Sequence, residues 1–372
     1  MLGWILIGLS VAWVGFAYLG YPLALLLLAR LCPRPLRLGD AHPELSVIIA
    51  VHNGEPVLRR KLEATLDLAY PKRFEVIVAS DGSTDGTDAI AGSMADRGVK
   101  LVRNPERFGK EAAQAAAIER AGGEILVFTD VTAELDQDAL REIVRPFADP
   151  SIGCVSSEDV VDTEGGEGAY VRFEMALRRL ESQATTLIGL SGSCFAARRA
   201  LCTPWPTHLA SDFRMGLEAA RRGMRAISEP NARARFSAIQ DPAQEWPRKV
   251  RTVRRGIAVL AAYRELLHPR HGRTAFSLWG HKVARFTSPF ALLVLLLASA
   301  AAAPRSLAAA SLLALQIAAY GLGGLALASP VVARWFGARL LGFFLLVNAS
   351  MLVAWAYHLS GRRSVTWQPT RR

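Results

Sequence analysis

Cysteine is scarce: four in 372 residues, Cys32, Cys154, Cys194 and Cys202, with no Cys-x-x-Cys spacing. That excludes a disulfide scaffold and a zinc finger, and it fits a reducing compartment for the middle of the chain. No G-x-G-x-x-G opens a helix after a strand-like run, and no Walker loop occurs, which argues against dehydrogenases and P-loop NTPases. Charge is sparse at 21%, and acid is the sign in short supply, with 33 Asp+Glu against 44 Lys+Arg and a formal net charge of +11. With 51% hydrophobic residues the chain is not a disordered one. The basic excess has no recognition-helix, zinc or RNP pattern beside it, so nucleic acid is not an expected partner. Arg30, Arg34 and Arg37 follow one apolar segment, and Arg270, Arg273, Lys282 and Arg285 precede another. That placement points to an anionic membrane surface. There is no internal repeat and no low-complexity linker.

Long apolar runs lie at both ends. Residues 4–29 carry no charge and exceed the ~20 residues a bilayer span needs. Nothing basic precedes the run and Arg30 follows it directly, so a retained anchor is expected over a cleaved signal peptide, with Trp4, Tyr18 and Tyr21 suited to the interface. Three further runs, about 288–303, 307–329 and 340–360, have the composition of membrane helices.

Between them, β-branched runs at 45–51, 74–80, 100–103, 124–130 and 152–157 alternate with helix-like stretches at 55–69, 85–96, 110–121 and 136–147. The alternation predicts an α/β domain with a parallel sheet, whose ligands bind beyond the carboxyl ends of the strands. The polar residues there are Val51-His52-Asn53-Gly54-Glu55 and Ser80-Asp81-Gly82-Ser83-Thr84-Asp85-Gly86-Thr87. An Asp at a strand end accepts hydrogen bonds from a base or ribose, and Gly admits backbone amides close to a ligand. An Asx-turn and helix N-cap account for the same residues structurally.

Taken together, these loops resemble the nucleotide-binding half of the family-2 glycosyltransferases with a GT-A fold, a likeness covering most of 45–290. The elements run in order: Asp81-Gly-Ser-x-Asp85, Gly109-Lys110 before a helix, Asp130-Val131-Thr132 at a strand end, Ser191-Gly192-Ser193, and Ser211-Asp212 heading a helix. The resemblance implies a mostly parallel sheet flanked by helices, with transmembrane helices at both ends. It assigns Val51, Asn53, Glu55, Asp81, Lys110, Asp130 and Ser193 to donor binding, with Glu55 and Asp81 at the nucleoside. Asp130 would hold Mg2+ or Mn2+ on the diphosphate, and Asp212 would be the catalytic base. Two departures stand out: the usual Asp-x-Asp is Asp130-Val-Thr132, and the carboxylate that commonly precedes the base is Ser211. The basic stretch Trp246-Pro-Arg248-Lys-Val-Arg251, with Arg254 and Arg255, either meets the pyrophosphate through Arg248 and Arg251 or forms a solvated amphipathic face. His268 and His271 read as surface histidines in a basic loop.

The expected domains are an anchor at 1–30, a cytosolic GT-A domain at 31–262, a basic interfacial segment at 263–287 and about three membrane helices with a basic tail at 288–372. The expected activity is an inverting transfer from a nucleotide-diphosphate sugar, first of all a UDP-sugar, to a lipid-linked or glycan acceptor. It would take place at the cytosolic face of a bacterial inner membrane, in exopolysaccharide or glycolipid synthesis. A polyprenyl-phosphate glycosyltransferase and a non-catalytic nucleotide-sugar-binding scaffold are the alternatives. The region Gln244-Glu-Trp246-Pro-Arg248 lacks the Arg-Trp pair of processive relatives, so addition of one sugar or very few is expected. Trp367-Gln-Pro-Thr-Arg371 resembles a Trp-x-x-Thr-x-Arg ending that favours a cytosolic tail.

Overall fold

The computed structural model describes residues 1–40, 42–161, 166–236 and 242–361. In chain order, α1 (Leu2–Gly15) and α2 (Tyr21–Leu31) precede β1 (Leu45–Val51), α3 (Glu55–Leu66), β2 (Glu75–Asp81), α4 (Thr87–Gly92) and β3 (Val99–Asn104). Next come α5 (Lys110–Arg120), β4 (Ile125–Asp130), β5 (Glu134–Leu135), α6 (Ala139–Val144), β6 (Ile152–Val161), α7 (Gly166–Ala184) and β7 (Cys194–Arg198). The rest are α8 (Ser211–Arg221), β8 (Arg225–Phe236), α9 (Pro242–Ala262), α10 (Arg273–Ser277), α11 (Ala284–Ala302), α12 (Leu307–Ala328) and α13 (Phe336–Leu359). The chain divides into two compact units, one holding the sheet with α3–α6 and α8, the other α1 and α9–α13.

The sheet has eight strands in the order β3-β2-β1-β4-β7-β6-β8-β5. β1 pairs in parallel with β2 and β4, and β2 with β3. That half is a parallel array joined by helical crossovers, and it brings the ends of β1, β2 and β4 to one edge. β7 then runs antiparallel to both β4 and β6, so the sheet is mixed. The predicted strands are present to within a few residues, while β5, β7 and β8 are added by the structure. Successive residues of β1 serve opposite layers. Val47, Ile49 and Val51 pack with Leu58 and Leu62 of α3 and with Leu140 of α6, whereas Ile48 packs with Ala113 and Ala117 of α5 and Met215 of α8. Burial on both faces is why the strand reads as an unbroken apolar run rather than an alternation.

In the other unit, four helices are long and apolar enough to cross a membrane: Leu2–Leu31, Arg273–Arg305, Leu307–Ala328 and Phe336–Leu359. At 1.5 Å per residue α12 is about 33 Å long, matched to the ~30 Å hydrocarbon core. The second of these helices begins at Arg273, so residues 273–287 of the basic segment 263–287 form its first part, while 264–271 lie in short turns before it. Its aromatic neighbours include Trp13, whose Nε1 donates to Thr287 Oγ1 at 3.0 Å, and Trp355, whose Nε1 donates to the Phe286 carbonyl at 2.9 Å. α12 and α13 cross where Gly323 meets Gly342: a Cβ at Gly323 would stand 3.0 Å from the Leu341 carbonyl oxygen. Small residues at such a crossing let backbones approach, as dispersion-driven packing in lipid requires. The tail 362–372 lies outside the described residues.

Candidate active site

The site residues sit in the loops leaving β1, β2 and β4, joined by the segment before β7 and the start of α8. Asn53 takes a left-handed conformation (φ +50°), which lets its side chain bridge to the next loop. Its Oδ1 accepts from Thr84 N at 2.8 Å, and its own N–H donates to Ser83 Oγ at 3.2 Å. Glu55 Oε2 accepts from Gly86 N at 2.8 Å, while Glu55 N donates to Asp85 Oδ2 at 3.1 Å. Burial works to raise the Asp85 pKa, but donors from Thr87 and Glu55 outweigh it and hold the carboxyl below its usual range. The first and second loops are therefore cross-braced before any ligand arrives. Val51 is the buried end of β1 beneath them.

Asp81 is 1% exposed and already engaged. Its Oδ1 accepts from Phe108 N at 2.9 Å and Asn104 Nδ2 at 3.3 Å, and its Oδ2 from Gly109 N at 2.8 Å. Its position thus ties the strand end to the loop that presents Lys110. Gly82 beside it has φ +61°, and a Cβ there would lie 2.5 Å from the Glu106 carbonyl carbon, so only glycine fits.

Lys110, at the start of α5, reaches Asp130 at the end of β4: Nζ to Oδ1 is 2.5 Å, with the two side chains 12% and 31% exposed. Burial pulls the Lys110 pKa down, but the Asp130 charge and hydrogen bond overcome it, with Asp212 and Glu111 adding, and the ammonium is held above its usual range. Asp130 N donates to the Ser193 carbonyl at 3.0 Å, which places the Ser191–Ser193 segment against the strand end. Ser193 is itself buried. Asp212 lies in the first turn of α8, where its Oδ1 accepts from Phe213 N at 2.7 Å and its carbonyl accepts from Leu190 N at 3.0 Å. A Cβ at Gly192 would stand 3.2 Å from Asp212 Oδ2, so glycine leaves that oxygen room.

Among the described residues no group of three or more His, Cys, Asp or Glu is placed to hold a metal alone. Asp130 is nevertheless suited to share one. Lys110 takes Oδ1 and leaves Oδ2, and hard divalent cations bind through one or two carboxylates completed by substrate phosphate oxygens.

Three residues of this constellation, Thr87, Ser191 and Lys61, had no role assigned to them from sequence. Thr87 Oγ1 receives the Gly54 N–H at 2.8 Å. Ser191 Oγ receives Ser193 N at 3.0 Å and donates to Asp159 Oδ1 at 2.5 Å. Lys61 on α3 donates from behind β4 to Thr129 Oγ1 at 3.1 Å. Thr87 and Ser191 lay within the motifs read from sequence, and Lys61 carried a signal of its own, as a lysine within the buried stripe Leu58, Leu62 and Thr65 of an amphipathic helix. Arg248 and Arg251 belong to α9 in the other compact unit. There, burial and the neighbouring Arg255 and Arg248 lower the Arg251 pKa. Lys249 lies over the Phe343 ring of α13 at 5.1 Å.

Residues 46–203 match the family model described as Glycosyl transferase family 2. The beta-monoglucosyldiacylglycerol synthase of Synechocystis sp. is 30% identical over 187 residues, 45% of this chain and 38% of that protein. Glycosyltransferase AglE of Haloferax volcanii is 28% identical over 176 residues, 45% of this chain and 58% of that protein. The chain thus spans less than two thirds of the length of these curated relatives. A solved mannosyltransferase, PcManGT from Pyrobaculum calidifontis in complex with GDP-Man and Mn2+, superposes with a TM-score of 0.74 at 26% identity, covering 96% of this chain and 100% of that one. Strand-end loops, sheet and sequence agree: residues 46–203 match family-2 glycosyltransferases, the domain has a GT-A-like mixed sheet with flanking helices, and the chain also holds four helices apolar enough to cross a membrane.

Proposed function

We propose that the protein is a membrane-bound inverting glycosyltransferase that passes a hexosyl unit from a nucleotide-diphosphate sugar to a lipid-linked or glycan acceptor. The observation that carries this reading is the charge arrangement at the strand ends: Lys110 bonded to Asp130 and within the field of Asp212. In the reaction the acceptor hydroxyl oxygen attacks the anomeric carbon, and the bond from that carbon to the phosphate oxygen breaks with its electron pair leaving on the diphosphate. The configuration inverts, and no covalent intermediate on the protein is needed. Asp212 Oδ2, kept clear by Gly192, takes the hydroxyl proton. Lys110 supplies a fixed positive charge toward the leaving diphosphate, where preorganised charge is most effective. A Mg2+ or Mn2+ ion held by Asp130 would neutralise developing charge on the phosphate oxygens. Asn53, Glu55 and Asp81 shape the nucleoside end, and Ser193 holds the wall beside Asp130.

Support for a cation and a nucleotide sugar comes from PcManGT, solved with Mn2+ and GDP-Man. Support for a glycolipid product comes from the Synechocystis synthase and from the four apolar helices. Support for a catalytic domain on the cytosolic side of a bacterial inner membrane comes from the arginines at 30–37 and 270–273, under the positive-inside tendency. The test is transfer by the protein in lipid, with a panel of UDP- and GDP-sugars and lipid acceptors, followed by mass spectrometry. Asp212→Asn is expected to lose about 10²–10⁴ in rate while keeping donor affinity within a few-fold. Unchanged transfer by this variant removes Asp212 as the base, and no transfer with any donor removes the reading itself.

A further inference from the structure

Lys61 is a charged residue where the packing calls for an apolar one. It shares the inward stripe of α3 with Leu58, Leu62 and Thr65, and it is 6% exposed. Its Nζ donates to the Ala133 carbonyl at 2.5 Å and to Thr129 Oγ1 at 3.1 Å. Both acceptors belong to the turn that carries Asp130. Thr129 precedes Asp130 on β4, and Ala133 N closes the turn by donating to the Asp130 carbonyl at 3.1 Å. Thr129 Oγ1 in turn donates to the Ser193 carbonyl at 3.1 Å, the same oxygen that receives Asp130 N. One buried ammonium thus ties together β4, the turn after it and the segment before β7.

That arrangement has a cost. Burial pulls the Lys61 pKa down to about 8, against Cys194 of β7, Asp130 of β4 and Glu134 of β5, whose charges oppose the shift. A methionine would occupy the stripe without desolvating a charge, so packing alone does not account for a lysine here. Destabilising buried charges cluster where a site needs them. Asp130 is also gripped from the opposite side, because Lys110 bonds its Oδ1. One lysine holds the carboxylate and the other holds the backbone turn beneath it.

We propose that Lys61 is a positioning residue of the donor site, clamping the Thr129–Ala133 turn from behind so that Asp130 keeps Oδ2 directed to the divalent cation on the donor diphosphate. The inference rests on the reading of Asp130 given above and adds a residue that touches neither donor nor cation. It separates two properties that a merely structural lysine would keep together, fold stability and cation affinity.

The experiment uses the full chain in lipid nanodiscs, with Mn2+ binding followed by electron paramagnetic resonance in the presence of UDP and, separately, GDP. Thermal unfolding is measured on the same samples. Lys61→Met is expected to unfold at or above the wild-type temperature while its Mn2+ affinity falls five- to ten-fold. Lys61→Gln, which keeps a donor toward the turn, is expected to fall between the two, and it decides the matter if the methionine variant does not fold. Wild-type Mn2+ affinity in Lys61→Gln and in any folded Lys61→Met, with affinity lost in Asp130→Asn, overturns the proposal and leaves the Asp130 reading standing. Equal Mn2+ binding by wild type and Asp130→Asn overturns that reading and this proposal with it.

Discussion

Replacing Lys110 by methionine removes a cation from the site while keeping most of the side-chain volume. Its consequences have opposite signs for two measurable quantities. In the resting protein Lys110 Nζ bonds Asp130 Oδ1 at 2.5 Å, with the lysine 12% and the aspartate 31% exposed. A hydrogen bond to a charged partner contributes about 1.5–3 kcal/mol. A divalent cation approaching Asp130 therefore meets a carboxylate with one oxygen already committed and a like charge beside it. Freeing that oxygen returns part of this energy, and about 1.4 kcal/mol is a ten-fold gain in cation affinity. Catalysis moves the other way. A fixed charge that faces the leaving diphosphate is lost, and removing one such stabilising group typically costs about 10²–10³ in kcat. Folding changes little, because Asp130 is exposed enough for water to take over. The assay pairs steady-state transfer with an Mn2+ titration of the same preparation and a thermal melt. The expected pattern is a kcat two to three orders lower, cation affinity up to ten-fold tighter, and an unchanged melting temperature. A variant with unchanged kcat, or one that binds Mn2+ more weakly, refutes the reasoning that Lys110 competes with the cation for Asp130 and serves the leaving group.

Gly192→Ala puts a methyl group 3.2 Å from Asp212 Oδ2, tighter than ordinary contact, so kcat should fall about ten-fold with little change in melting temperature; a wild-type kcat removes the crowding argument. Gly82→Val places a β-branched residue at φ +61° with its Cβ 2.5 Å from the Glu106 carbonyl carbon, and urea or thermal unfolding should register a loss of about 3 kcal/mol or no folded protein at all. Lys61 has a folded pKa of about 8 against an ordinary 10.5. Between these values the unfolded chain binds the proton that the folded one has released, so stability rises with pH through the window and the full penalty applies below it. Measured as the difference between wild type and Lys61→Met, which cancels the buried cysteines, the wild type should gain about 1 kcal/mol from pH 7 to pH 9; a difference that stays flat with pH contradicts the burial of a charged Lys61. Products sized over time should show one sugar added or very few, and a long polymer formed while most acceptor remains unextended would show processivity instead.

How far the sequence alone reaches can be seen in β1 and β7. Leu45–Val51 is legible because a strand buried on both faces must be apolar at every position, a local requirement written into seven consecutive residues. The helices long and apolar enough to cross a membrane are legible for a similar reason, since that composition and length are written residue by residue. Asp81, Lys110 and Asp130 sit at strand and helix ends that the apolar pattern marks, whereas Asp212 was legible only through the resemblance to family-2 glycosyltransferases. Cys194–Arg198 gave no such sign. β7 owes its existence to β4 and β6 on either side, partners that are distant in sequence, and its antiparallel insertion turns a parallel array into a mixed sheet. The same long-range pairing sets the Ser193 carbonyl on Asp130 N and brings Lys61 of α3 beneath the turn after β4. Periodicity can report which face of α3 is buried; what stands opposite that face, and why a lysine is kept there, was decided by the tertiary structure, because only chain closure brings residues 61, 129 and 133 within hydrogen-bonding distance.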